Sequence, residues 1–112
     1  LPVRREGMTA AAFGNHWIHV HSILALGQPG TRDRLLRLEP CPAEDGGVTG
    51  FSAASFDGAG TIEFAAQKDL LAEFESEHYR TVMAPDELGF TSPLRSCALM
   101  VEPCNVPHVP RR

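Results

Sequence analysis

The spacing of apolar residues predicts two amphipathic helices. The first starts at the N-cap residue Thr9, continues through a run of alanines, and ends near Leu26, before a segment rich in glycine and proline. At about 100° per residue, one arc of this helix holds six side chains. They are Phe13, His16, Trp17, Val20, Ile23 and Leu24. The second helix is predicted from Ala66 to about Met83, with a change in its apolar pattern near Ser76.

Four further runs predict β-strands. They are Leu1–Arg5, Arg34–Glu39, Gly60–Phe64 and Arg95–Glu102. The order β-α-β-β-α-β is that of the ferredoxin-like fold, an α+β fold with an antiparallel four-stranded sheet and two helices on one face. The last strand is apolar on both faces, so we expect a homodimer in which two sheets pack together.

The length of the chain and the spacing of its glycine- and proline-rich segments predict a single domain over residues 1–112. The prolines at 103, 107 and 110 make residues 103–112 a poor candidate for regular structure. We therefore expect an extended tail there that adds little to the core.

Composition limits the classes of partner. The chain is 43% hydrophobic and 21% charged, which is ordinary for a globular domain. Its net charge of −4, from 10 basic and 14 acidic residues, argues against nucleic acid or an anionic membrane as partner. No apolar run approaches the roughly 18 residues of a membrane span. Cys41, Cys97 and Cys104 show no CxxC spacing, so we expect reduced thiols in a cytoplasmic protein.

The densest group of titratable side chains is the segment His-Trp-Ile-His-Val-His at residues 16–21. On an α-helix His16 and His21 lie about 140° apart, and His19 and His21 about 160° apart. A strand would place His19 and His21 on one face, but the N-cap and the helical period favour a helix. The three imidazoles then do not converge on one ion, and we expect no metal site.

The three histidines have different predicted roles. His16 lies near the centre of the apolar arc, where a hydrogen-bonded core histidine is the simpler interpretation and a proton-transfer residue the alternative. His19 lies at the edge of the arc and is expected in solvent. His21 lies beside Trp17 on the other flank, where it reaches a cavity between helix and sheet and suits proton transfer.

Motifs along most of the chain resemble those of EthD-type proteins. The opening match comprises Gly7-Met8-Thr9, Phe13, His16-Trp17, Val20-His21 and Leu24. Later matches are Asp57-Gly58, Glu63-Phe64, Asp86-Glu87 and Phe90. Ile23 stands where the family often has proline, and residues 30–60 form a loop that varies in the family. The resemblance implies a dimeric α+β barrel with a cavity lined by sheet and helices.

The same resemblance implies an activity, because such proteins include polyketide-pathway dehydratases, decarboxylases and cyclases. We expect a cofactor-independent lyase or cyclase that uses histidine acid–base chemistry on a polyketide-like or other apolar, oxygenated ring compound. The alternatives are a non-catalytic small-molecule-binding accessory protein and a cofactor-free monooxygenase. No GxGxxG, P-loop or haem motif calls for a cofactor.

The predicted site follows from these motif positions. His21 is the predicted catalytic acid or base, His16 is the second choice, and Asp86 or Glu87 orients the imidazole. The alternative for these two carboxylates is a solvated turn or the cap of a short helix after Pro85. The predicted substrate-binding residues are Phe13, Trp17, Leu24, Phe64, Phe74 and Phe90.

Overall fold

The computed structural model describes residues 1–102, and the predicted tail over residues 103–112 lies outside them. The elements follow one another as α1 (residues 10–26), α2 (Pro29–Arg34), β1 (Leu35–Pro42), β2 (Gly58–Phe64), α3 (Gln67–Phe74) and α4 (residues 77–90). The fold is mixed α+β. Within residues 1–102 no helix combines the length and the apolar character that crossing a membrane needs.

Each of the two long helices contains one wide, π-helical turn. In α1 the turn Trp17–His21 separates the α-helical segments Ala10–His16 and Ser22–Leu26. In α4 the turn Tyr79–Met83 precedes the α-helical segment Ala84–Phe90. A π turn takes up one more residue than an α turn, so every later side chain is displaced by one position around the helix axis.

Local chemistry favours both wide turns. In α1 the backbone N–H and the hydroxyl of Ser22 both donate to the carbonyl oxygen of Trp17, the hydroxyl at 2.8 Å. In α4 Pro85 has no N–H, and its ring would crowd the carbonyl of Thr81 in a regular helix. The wide turn just before Pro85 relieves this contact, so the helix continues to Phe90, beyond the predicted end at Met83.

The displacement changes which face of α1 is buried. Val20 and Ile23 were expected in the apolar arc, but Ile23 is 59% exposed and Val20 is also exposed. Ser22, which an unbroken α-helix would place opposite this arc, is buried instead, and the side chain of His21 is 14% exposed. The predicted arc therefore holds only as far as the wide turn, because its phase assumed an unbroken α-helix.

The sheet has two antiparallel strands in the described residues. β1 and β2 pair with Leu38 opposite Ile62 and Pro42 opposite Gly58, close to the predicted strand positions. The expected four-stranded sheet is not shown. Residues 1–5 form a single bridge, between Arg4 and Thr91, and no strand lies within residues 95–102.

Backbone hydrogen bonds explain the missing outer strands. The N–H groups of Arg95 and Ser96 both bond to the carbonyl oxygen of Ser92, so the chain turns where the last strand was expected to begin. Pro93 fits the start of such a turn, since it has no N–H to satisfy. The segment still runs beside the N-terminus, because the N–H of Cys97 reaches the carbonyl oxygen of Leu1 at 3.1 Å.

The rings of Trp17 and Phe13 join the helices to the sheet. A Cβ atom built on Gly58 or Gly60 would lie 2.7 Å from the Trp17 ring, so this ring rests directly on the backbone of β2. Phe13 packs against Trp17 on one side and Phe90 on the other, each with ring centroids 5.6 Å apart. Trp17 is partly rather than fully buried.

A buried carboxylate ties α2 to α3. The Glu73 side chain is almost fully covered, and its Oε1 accepts the Thr31 hydroxyl at 2.5 Å. Arg34 donates to Oε2 at 2.9 Å. Because both oxygens are paired, the charge is compensated and removal of either partner is expected to be destabilising.

The contact between Trp17 and β2 predicts that Gly60→Ala lowers the free energy of unfolding by about 1–3 kcal/mol, the usual cost of overpacking. The new methyl group meets only the Trp17 ring, so the same substitution should cost less when Trp17 is already replaced by leucine. Gly47→Ala is the control, because nothing lies within 4 Å of its added Cβ. Urea unfolding measures all five proteins, including wild type and the two Trp17→Leu proteins, and an equal cost of Gly60→Ala in both Trp17 backgrounds would contradict the contact.

Candidate active site

Two imidazoles share the carboxylate of Asp86. Nδ1 of His21 lies 2.7 Å from Oδ2 of Asp86, and Nε2 of His16 lies 3.0 Å from both carboxylate oxygens. Both nitrogens therefore donate an N–H to the carboxylate. The arrangement joins α1 to the α-helical part of α4, and all three side chains are partly buried.

The wide turn of α1 is the reason that these imidazoles meet. Five residues separate His16 from His21, which corresponds to about 140° on an α-helix. The π-helical turn takes up one extra residue, so the five steps from His16 to His21 rotate the chain about as far as four steps of an α-helix. The angle between the two side chains therefore falls to about 40°. The prediction that His16 and His21 diverge was therefore wrong. The two imidazoles converge, and the group between them is the carboxylate of Asp86. Within residues 1–102 no group of three or more His, Cys, Asp and Glu side chains is arranged to hold a metal ion.

The wide turn of α4 aligns a second pair. The Tyr79 hydroxyl lies 3.1 and 3.0 Å from the two carboxylate oxygens of Glu87 and donates to that carboxyl group. Eight residues apart, these side chains would diverge by about 80° on an α-helix, but the extra residue reduces the angle to about 20°. Glu87 in turn places Oε1 3.7 Å from Nε2 of His21. The site is thus a chain of five side chains, in the order His16, Asp86, His21, Glu87 and Tyr79.

An aromatic floor supports the imidazoles. The Phe90 ring lies with its centroid 4.6 Å from that of His16 and 5.0 Å from that of His21. Phe90 is buried and packs against Phe13, which is also buried, so the ring beneath the imidazoles is part of the core. This apolar packing limits the rotation of both rings and keeps their N–H groups directed at Asp86.

The two carboxyl groups differ in their affinity for a proton. Partial burial alone would raise the pKa of Asp86, but the hydrogen bonds from His21 and His16 outweigh it and hold this pKa below its ordinary value. Burial raises the pKa of Glu87, and the hydrogen bond from Tyr79 and the proximity of His21 offset this only in part. The pKa of Tyr79 is also raised, first by burial and then by Glu87, so its hydroxyl stays a donor.

The geometry determines which ring nitrogen of neutral His21 carries the proton. Because Nδ1 donates to Asp86, the neutral ring carries its lone pair on Nε2. That nitrogen faces Glu87, whose side chain is 35% exposed, more than those of Asp86 and the two histidines. Solvent therefore reaches the cluster most readily at Glu87, next to Nε2 of His21.

The remaining predicted substrate-binding residues, Phe64, Phe74 and Leu24, take no part in the hydrogen bonds and ring contacts of Asp86 and the two imidazoles. Phe64 and Phe74 form an aromatic row that ends at Tyr79, with centroids 6.5 and 4.8 Å apart. Leu24 is partly exposed, and its carbonyl oxygen accepts a hydrogen bond from the His78 ring. His19 is exposed, as expected. Tyr79 was not among the predicted site residues, because its partnership with Glu87 depends on the wide turn.

An open groove of about 570 Å³ lies elsewhere on the molecule. It is bounded by residues 3–9 together with Ser55, Asp57 and Arg95. Neither the histidine pair nor any predicted substrate-binding residue lines it. The groove and the cluster around Asp86 are therefore separate features.

Fold and site together define an α+β protein with a pair of histidines held by one carboxylate. The family model for the EthD domain matches residues 5–94, which is most of the chain. The chain thus belongs to the EthD domain family, and the resemblance found in its motifs is confirmed. No curated protein and no solved structure matches the chain.

The lowered pKa of Asp86 predicts how Asp86→Asn changes stability. The ionised carboxylate stabilises the fold above its ordinary pKa of 3.8, and this contribution is lost as the pH falls through the lower folded-state value. We expect the variant to lose about 1–3 kcal/mol near neutral pH, the cost of breaking hydrogen bonds to a charged group. Urea unfolding over a pH series should show this loss shrinking in acid. The exposed Asp33→Asn is the control, and a constant or absent loss would contradict the account.

Proposed function

We propose that this EthD-domain protein is a cofactor-independent lyase or cyclase that works by acid–base catalysis at His21. The observation that carries the proposal is the 2.7 Å bond between Nδ1 of His21 and Asp86. It leaves the lone pair of Nε2 available, which is what a general base needs. Asp86 acts as a positioning residue, and His16 supports it from the other side.

The chemistry common to dehydration, decarboxylation and aldol-type ring closure is a proton transfer that makes or consumes an enolate. A general base beside an apolar floor suits carbon acids whose proton lies next to a carbonyl group. The proposed substrates are polyketide-like or other apolar, oxygenated ring compounds. Support for this class comes from the Phe90 ring against the imidazole of His21, and from Tyr79, the site residue at which the row of Phe64 and Phe74 ends.

The proposal extends to the assembly and its setting. We propose a ferredoxin-like homodimer of the dimeric α+β barrel type, in which a second copy covers the apolar segment near the end of the described chain. Leu99, Met100 and Val101 are each at least two-thirds exposed, which is unusual for consecutive apolar residues. The exposed thiols of Cys41 and Cys97 support a reducing, cytoplasmic setting.

The face of β1 and β2 turned away from Trp17 is charged. It carries Arg37, Glu39 and Glu63, with Arg37 3.4 and 3.5 Å from the two carboxylates. An apolar contact would therefore centre on residues 99–101 rather than on these two strands.

His21→Asn tests the catalytic role most sharply, because an amide can still donate to Asp86 while it cannot take up a proton. We expect the rate to fall roughly 10²–10⁴-fold, the usual contribution of a general acid or base. The probe is the β-hydroxy ketone formed by aldol addition of acetone to benzaldehyde. Its α-proton exchange in heavy water and its loss of water are followed by NMR and ultraviolet absorbance.

The controls for this experiment lie on the same helix. His19→Ala should keep the wild-type rate, because His19 is exposed. Full activity of His21→Asn together with a loss in His16→Asn would move the catalytic role to His16. Tight binding of aromatic ketones without turnover would favour an accessory binding protein, and oxygen consumption during turnover would favour a monooxygenase.

A stable dimer at micromolar concentration is expected for the full chain in light scattering. Replacement of Met100 by glutamate should weaken the dimer, because it places a charge in the proposed contact. Glu63→Lys should have a smaller effect, since Glu63 lies on the polar face. A wild-type protein that is monomeric under these conditions would contradict the proposed assembly.

A further inference from the structure

Glu87 faces the reactive nitrogen of His21 without bonding to it. The 3.7 Å between Oε1 of Glu87 and Nε2 of His21 is longer than a hydrogen bond, for which about 2.7–3.2 Å is usual. A substrate placed beside both atoms can approach each of them to about 3 Å, the distance for proton transfer. The pair therefore presents two proton-transfer groups to the same side of one bound molecule.

The groups around Glu87 act on its affinity for a proton in opposite directions, and burial decides the balance in favour of the acid form. Asp86 is its neighbour in α4 and is held as an anion by two imidazole N–H groups, so a second negative charge beside it is unfavourable. His21 faces it from α1 and Tyr79 donates to it from within α4, and both contacts favour the ionised form. Burial is the largest influence and raises the pKa of Glu87 above its ordinary value. A protonated carboxyl group at this place can donate to an oxygen atom.

We propose that Glu87 is the general acid of the site and that the substrate is a β-hydroxy carbonyl compound, which loses water. This inference rests on the proposed function, because it assigns the base role to Nε2 of His21. It narrows the proposed reaction to dehydration and adds a second catalytic residue. Tyr79 is a positioning residue, since it holds the Glu87 carboxyl group at 3.0 and 3.1 Å and need not touch the substrate.

The proposed step balances without a co-reactant. Nε2 of His21 takes the proton from the carbon next to the carbonyl group, and the electron pair of that C–H bond forms the new carbon–carbon double bond. The bond from the β-carbon to its hydroxyl oxygen breaks, and this oxygen takes the proton of Glu87 and leaves as water. His21 is then an imidazolium and Glu87 a carboxylate. Transfer of the Nε2 proton to Glu87 restores both groups.

Glu87→Gln separates the acid from the base. The amide oxygen still accepts the Tyr79 hydroxyl, so the fold is expected to survive, but the side chain no longer donates a proton of useful acidity. Two probes are used, the β-hydroxy ketone of benzaldehyde and acetone, and its acetate ester. Acetate leaves without prior protonation, so its elimination needs the base but little help from an acid.

With the hydroxy ketone we expect Glu87→Gln to lose roughly 10²–10⁴-fold in dehydration while α-proton exchange in heavy water continues. With the acetate ester the loss should be less than about tenfold. Glu77→Gln, an exposed change at the start of α4, is the matched control and should behave as wild type on both probes. The melting temperature of each variant verifies that the fold is intact.

Three results would overturn the inference. One is wild-type dehydration by Glu87→Gln, and another is an equal loss on both probes, which would indicate a structural role. The third is a wild-type protein that exchanges the α-proton but never releases water. The underlying proposal fails separately, because it requires that His21→Asn abolish α-proton exchange. Exchange at the wild-type rate in that variant would remove His21 as the base whatever Glu87 does.

Discussion

The site depends on a single carboxylate, Asp86, that accepts N–H groups from two imidazoles of one helix. This contact requires His16 and His21 to share a face, and a regular α-helix separates them. The π-helical turn Trp17–His21 removes that separation, and Ser22 stabilises the turn through the carbonyl oxygen of Trp17. Wide turns of this kind are rare and occur often at functional sites, which is consistent with their presence in both helices that build this one.

The same arrangement sets the electrostatics of the site. Two N–H donors keep Asp86 ionised, and its charge together with burial disfavours ionisation of Glu87. Neighbouring carboxyl groups with opposite preferences for a proton are a common basis for separate acid and base roles. Phe90 packs beneath both imidazoles, and Glu87 is the most exposed of the two imidazoles and two carboxyl groups. The carboxyl group that is most exposed, Glu87, is thus also the one whose pKa is raised.

The sequence predicted the family, the two inner strands, the start of α1 at Thr9 and the candidates His21, His16 and Asp86, since these follow from propensity and motif. It did not predict the phase of α1 after Trp17, the burial of Ser22 or the role of Tyr79, because a helical wheel assumes a constant turn. Glu73 is buried, which is rare for a glutamate, because Thr31 and Arg34 pair with it across 42 and 39 residues. Pairings of that kind leave no periodic signal in the sequence.

We propose that Asp86 fixes the proton of neutral His21 on Nδ1 and leaves Nε2 free to act as the base. Long-range ¹H–¹⁵N correlation NMR of the imidazole side chains measures this directly, because a protonated and an unprotonated ring nitrogen resonate at very different frequencies. At a pH where the ring is neutral, the account predicts a protonated Nδ1 and an unprotonated Nε2 for His21, and loss of this preference in Asp86→Asn. A His21 ring that carries its proton on Nε2 in the wild-type protein would contradict it.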